Sequence, residues 1–252
     1  MHKLNETYFN QAQELKKSID NFDYCGTIFI KGKRNIIKTV ELNGVVLNIK
    51  SFKKPFFINK IIYTYFRKSK ARRSFEYANF LLKNNIGTPN PVAFFENHDF
   101  FGLKESFYVS EHLNADLTYR ELVETNYPDA ENILRQFTQF SYNLHEKGIE
   151  FLDHSPGNTL IIKKPQGTYD FFLVDLNRMK FHTKMNFETR MKNLSKLTPK
   201  KEMVEVMSNE YAKISGFDEN LLLSTLWKFT NDFQHRFYRK KRIKKRLKFW
   251  KK

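Results

Sequence analysis

Hydrophobic positions change period twice in the first hundred residues. Phe9, Ala12, Leu15 and Ile19 recur at helical spacing and predict an opening helix that ends before Asn21. From Gly26 the repeat shortens. Residues 27–30, 36–40 and 45–50 read as three strands, separated by the stretch 31–35 and by the tight turn signal Asn43-Gly44, which makes an antiparallel meander. The helical period returns over residues 69–84 and is ended by Asn85-Ile86-Gly87, with Pro89 and Pro91 beyond it. Two further strands are predicted at 92–95 and 107–110. In the second half, Ile133, Leu134, Phe137, Phe140 and Leu144 form the apolar stripe of a helix that stops at Gly148. An irregular segment, 151–158, precedes a hairpin with strands 159–163 and 169–175, turned at Pro165-Gln166-Gly167. The rest reads as helices, the last starting near Asn220.

Composition narrows this picture. With 40% hydrophobic and 16% aromatic residues over 252 positions, the chain can bury a sizeable core, and disorder is excluded as its general state. Cys25 is the single cysteine, so there is no disulfide framework, and no Cys/His cluster has zinc-site spacing. The first twenty residues lack an apolar signal core, and no run of about 18 apolar residues could span a bilayer. The expectation is a cytoplasmic protein.

The net charge of +17 is unevenly placed. From Arg236 to Lys252 there are 11 Lys/Arg and no acid. A second stretch, from Lys50 to Arg73, holds 9 Lys/Arg and no acid, interleaved with aromatic residues such as Phe52, Phe56 and Tyr63. Two such segments imply a polyanionic partner. In the tail, Ile243, Leu247 and Trp250 fall at i, i+4 and i+7 among the cations, the pattern of an interfacial helix. The plainer reading is a solvated basic end. No nucleic-acid motif accompanies the charge, so no nucleic acid is expected.

Candidate chemistry clusters in the second half. The run Leu144-His145-Glu146-Lys147-Gly148-Ile149 leads into Asp153-His154-Ser155-Pro156-Gly157-Asn158, and Phe172-Leu173-Val174-Asp175 closes a strand in a second acid. An Asp and an Asn five apart are, taken alone, ordinary turn formers. Together with five strands, a helix inserted after the third and a helical second half, the set resembles the protein-kinase-like fold, over roughly residues 26–181. The expected class is therefore α+β: a two-lobed fold with a five-stranded antiparallel sheet plus one helix in the small lobe, and a larger, mainly helical lobe. The expected division is 1–113, 114–235 and a basic tail 236–252.

That resemblance implies ATP and Mg2+ as cofactors and assigns roles. Asp153 would take or orient the proton of the attacking hydroxyl. Asn158 and Asp175 would offer oxygen ligands to magnesium. Lys50, at the end of Val46-Leu47-Asn48-Ile49-Lys50, would bind the α and β phosphates, with Glu76 holding it in place. Gly32 would lie in the nucleotide loop, and Glu111, His112 and Leu113 would present backbone groups to adenine. His145 is read as structural.

More narrowly, Ala71-Arg72-Arg73-Ser74-Phe75-Glu76, Gly87-Thr88-Pro89-Asn90-Pro91-Val92-Ala93 and Val174-Asp175-Leu176-Asn177-Arg178-Met179-Lys180-Phe181 resemble the lipopolysaccharide core kinases, above all the Kdo kinase group. The resemblance implies phosphorylation of a sugar, Kdo first, on a lipid A-type glycolipid at the cytoplasmic face of the inner membrane, where the two basic segments would meet anionic lipid. Phe151 stands where kinases usually carry His, Asp175-Leu176-Asn177 replaces Asp-Phe-Gly, and the nucleotide loop has the lone Gly32. Three readings stay open: a Kdo kinase, a kinase for heptose or another small molecule, and a non-catalytic membrane-binding relative.

Overall fold

The computed structural model describes residues 2–32, 35–53 and 67–249. They fall into two compact units, one built from residues 1–114 with 172–178 and the other from 115–171 with 179–252. The short insert of 172–178 into the first unit carries Asp175.

The first unit is a six-stranded sheet in the order β1-β5-β6-β4-β3-β2. Its strands are β1 (His2–Leu4), β2 (Thr27–Lys31), β3 (Asn35–Leu42), β4 (Val45–Phe52), β5 (Pro91–Asp99) and β6 (Gly102–Glu111). The three-strand meander and the later pair form as expected, each with longer strands. The sixth strand is a correction. His2–Leu4 pairs antiparallel with Phe95–Ala93, in a stretch whose polarity hid any strand signal. Three residues give too short a pattern for alternation to register.

Side chains alternate across this sheet with the period of two that a pleat imposes. Leu47, Ile49, Phe95, Phe107 and Val109 face one side, where Leu15 and Ile19 of α1 (Ala12–Asp20) cover them. Phe52 and Phe94 face the other side, against Ala71 and Phe75 of α2 (Lys70–Lys83). The opening helix is thus real but starts late: residues 6–11 form a 3-10 turn in which Tyr8 is buried and Phe9 is exposed, so the predicted stripe is shifted at its first member. Ser69 caps α2 by accepting from Arg72 N at 3.0 Å. A buried lysine ties the segment after α1 to the meander. Lys38 Nζ donates to the carbonyls of Phe22 (2.6 Å), Asp23 (2.9 Å) and Cys25 (3.1 Å), which offsets the cost of removing its charge from water.

The second unit is mainly helical. Its elements are β7 (Leu117–Thr118), α3 (Tyr119–Glu124), α4 (Ala130–Glu146), β8 (Ile149–Phe151), β9 (Thr159–Lys164), β10 (Thr168–Leu173, which crosses into the first unit), β11 (Met179–Phe181), α5 (Phe187–Leu194), α6 (Lys201–Ser215) and α7 (Glu219–Phe249). The core joins Tyr119, Phe137, Met191, Tyr211, Leu222 and Leu226. Gly148 ends the turn after α4 at φ +67°, and a Cβ there would stand 1.9 Å from the His182 carbonyl oxygen. Only glycine fits, because β8 pairs with β11 hard against it. The 31-residue α7 buries Leu222, Leu226 and Thr230, and beyond Arg236 its described side chains are exposed.

Candidate active site

In the sheet-rich unit β4 delivers Lys50. Its neighbours Ile49 and Leu47 belong to the α1 face, and the pleat turns Lys50 to the opposite side with Phe52, whose ring lies 5.4 Å from the ammonium. Lys50 Nζ donates to Asp175 Oδ1 at 2.7 Å, the lysine side chain 14% exposed and the aspartate 34%. Asn177 Nδ2 donates to the same oxygen at 2.7 Å. Among the described residues, Asp175 Oδ2 carries no hydrogen bond and remains available as a hard oxygen ligand.

Asp175 does not end the strand as expected. It lies two residues past Leu173 at φ +60°, in the left-handed region, which costs an L-residue about 1 kcal/mol. Its flanks are pinned. Leu173 N donates to Gly87 O at 2.8 Å, and Thr88 Oγ1 donates to Leu173 O at 2.8 Å. The buried Arg73 donates from Nη1 to Asn177 O at 2.6 Å. Arg73 and Thr88 stand in the very motifs that carry the sequence resemblance, and both hold the segment that bears Asp175.

The expected Lys50–Glu76 pair is corrected. Glu76 Oε2 accepts from Lys68 at 2.7 Å and Oε1 from Arg72 at 2.9 Å. Burial raises the Glu76 pKa, but the two cations outweigh it and hold the carboxyl below its ordinary range. The cause is local: Arg72 precedes Glu76 by one helical turn, so the i,i+4 contact is made within α2 itself.

Gly32 follows β2, and its N–H donates to Asn35 O at 3.0 Å; the adjoining Lys33 and Arg34 lie outside the described residues. At the end of β6, Glu111 N donates to Asn90 O and His112 N to Val46 O, so both amides serve the fold. The Glu111 carboxylate accepts from Tyr8 Oη and Asn90 Nδ2. Among the described residues, the Leu113 N–H has no such backbone acceptor.

In the helical unit, Asp153 and Asn158 bracket a loop closed by a 3-10 turn at Pro156–Asn158. Three successive carbonyls at its start are satisfied by side chains. Phe151 O accepts from Asn193 Nδ2 at 2.8 Å, Leu152 O from Lys196 Nζ at 2.7 Å, and Asp153 O from Asn158 Nδ2 at 2.8 Å. The last bond orients the Asn158 amide so that its oxygen, not its nitrogen, is left to coordinate. Beneath the loop, Asn193 Oδ1 contacts His154 Nδ1 at 3.0 Å and His145 Nε2 at 3.2 Å, while His145 Nδ1 meets Tyr211 Oη at 2.9 Å. One assignment satisfies all of these: both imidazoles are neutral and donate to Asn193, and Tyr211 donates to His145. Burial drives the same result, lowering His145 to about 3 and His154 to about 4.

His145, read from sequence as structural, stands in that network. Sequence reasoning misses Asn193 and the role of His154. Asn193 lies on α5, some 35 residues beyond the loop, with no local motif to single it out.

The fold so described is that of the protein kinases, a sheet-rich N-terminal lobe followed by a larger, mainly helical C-terminal lobe. A solved structure that shares it is WaaP in complex with acyl carrier protein. The likeness has a TM-score of 0.65 at 15% identity and covers 94% of this chain and 99% of that one. No family model matches the sequence, and no curated protein matches it by sequence.

Proposed function

We propose that this protein is an ATP-dependent phosphotransferase that acts on a sugar hydroxyl of the lipopolysaccharide inner core. The observation that carries the reading is that hydrogen bonding leaves one side-chain oxygen open in each unit, Oδ2 of Asp175 in the first and Oδ1 of Asn158 in the second. Both are hard donors of the kind magnesium prefers. When bound, the metal supplies charge neutralisation to the phosphates.

The chain's own groups do the rest. Lys50 offers a point charge to the donor phosphates and is already held against Asp175. Asp153 orients the acceptor hydroxyl and takes its proton. The Leu113 amide meets the adenine edge. Glu76 enters this scheme only if it leaves Lys68 and Arg72 for Lys50.

The acceptor follows from two likenesses of different weight. The sequence motifs favour Kdo. The fold shared with WaaP supports the broader class of core-sugar phosphotransfer, in which a heptose is as good an acceptor as Kdo or better. A glycolipid acceptor places the protein at the cytoplasmic face of the inner membrane. No helix among the described residues is long and apolar enough to cross a membrane, and attachment is assigned to the cations of α7 beyond Arg236, each worth roughly 1 kcal/mol near an anionic leaflet. The other basic segment lies largely outside the described residues.

Labelled phosphate transfer from ATP to lipid A precursors bearing Kdo alone, or Kdo with heptose, tests the proposal. Transfer to either assigns the class and its acceptor. No transfer to both, with ATP bound, would refute the core-sugar reading and favour a different small molecule.

A further inference from the structure

Arg120 is not among the residues that the kinase resemblance singles out, yet it lies against the loop that bears Asp153 and Asn158. It follows the buried Tyr119, which fixes the first turn of α3 in the core of the helical unit. Its guanidinium covers Gly157: a Cβ built on that glycine would stand 2.5 Å from Nη2 and 3.5 Å from Cζ. Gly157 adjoins Asn158 and has no left-handed backbone that would itself require glycine. Its missing side chain therefore serves the close approach of the arginine.

The charge is also accessible. The Arg120 side chain is 58% exposed, and its ion pair among the described residues is Glu124 at 3.9 Å, one turn along the same helix. Such an i,i+4 pair is weak and yields readily to a better oxyanion. A guanidinium offers planar, paired donors suited to carboxylate or phosphate.

We infer that Arg120 is an anion-binding residue beside the loop that bears Asp153 and Asn158, and that it grips an oxyanion of one of the two reactants. The oxyanion is a donor phosphate or an acidic group on the acceptor sugar. This rests on the phosphotransferase reading for its substrates but not for its geometry.

Steady-state kinetics on the full chain, beside thermal-shift titration with inorganic tripolyphosphate, tests it. Arg120→Gln is expected to raise KM for one reactant about tenfold, the loss of one charge-assisted contact, with partial recovery in Arg120→Lys. Gly157→Ala should reproduce the effect, since its methyl group displaces only the flexible end of Arg120, and the double variant should add nothing further. A rise in KM for ATP with loss of the tripolyphosphate shift assigns the donor phosphates. A rise confined to the acceptor with the shift intact assigns the acceptor's acidic group. Both KM values within about twofold of wild type in a folded Arg120→Gln protein would overturn the inference. Should the wild type transfer phosphate to no core sugar, the proposed function fails, and the inference then stands or falls on whether the tripolyphosphate shift is lost in Arg120→Gln.

Discussion

In the sheet-rich unit the candidate site groups are held by charge. Lys50 and Asp175 form an ion pair in which the aspartate is a third exposed, and Asn177 adds a hydrogen bond to the same oxygen. The helical unit supports Asp153 differently: Asn193, His145 and His154 are neutral, fully or almost fully buried, and bonded to one another and to the Phe151 carbonyl. Under the proposed function the difference suits the part that each unit would play. A phosphate-binding pair must exchange partners when a nucleotide and metal arrive, so it is left partly wet and adjustable. A loop that orients a proton acceptor would gain from rigidity, and buried neutral hydrogen bonds supply most of it here, beside the part-buried bond from Lys196 Nζ to Leu152 O.

The largest effect that tests this contrast is on pH dependence. The two histidines titrate far below their unfolded value of about 6.5, so they contribute stability that is fully present above that pH and is lost as pH falls toward 4. Between pH 7 and 5 the unfolding free energy is expected to fall by about 2 kcal/mol for each histidine. Urea titrations across that range check it, and His154→Phe should flatten the slope by about half. A stability unchanged from pH 7 to 5 would remove the neutral-network account.

Next comes Asn193→Ala, which strips three hydrogen bonds from buried partners and should cost about 3 kcal/mol by the same titration at pH 7. A loss below about 1 kcal/mol would show that the loop is held elsewhere. The smallest effect belongs to Glu76→Gln. Its partners Lys68 and Arg72 are 51% and 32% exposed, so stability should change by less than about 1 kcal/mol. If phosphate transfer nevertheless fell more than about tenfold, Glu76 would be shown to leave α2 for Lys50 in the working state.

Local patterning announced most of the architecture. The meander, α2 with its Ser69 cap and the stop at Gly148 all rest on neighbours in sequence, where hydrophobic period and turn residues act. Asp153, Asn158 and Asp175 stood out because their residue types and spacing resemble the kinase pattern. What the sequence did not reveal was set by distant partners. The strand His2–Leu4 exists because β5 presents an open edge. Glu76 pairs with Lys68 and with Arg72 one helical turn away, and Lys50 with Asp175, a residue far along the chain. Asn193 meets the loop from another helix, and an asparagine in an amphipathic pattern looks like any surface polar residue. Arg73 and Thr88 were noticed as motif members, but their bonds to the Asp175 segment became visible only with the chain folded.

The central claim is that the two units supply separable functions, nucleotide binding by Lys50 and Asp175 and proton acceptance by Asp153. Measuring ATP affinity and phosphate transfer together in Asp153→Ala and Lys50→Met tests it most directly. The account predicts that Asp153→Ala binds ATP within about threefold of wild type while transfer falls by about a hundredfold or more, and that Lys50→Met loses ATP affinity as well as transfer. An Asp153→Ala protein that keeps more than about a tenth of wild-type transfer would contradict it.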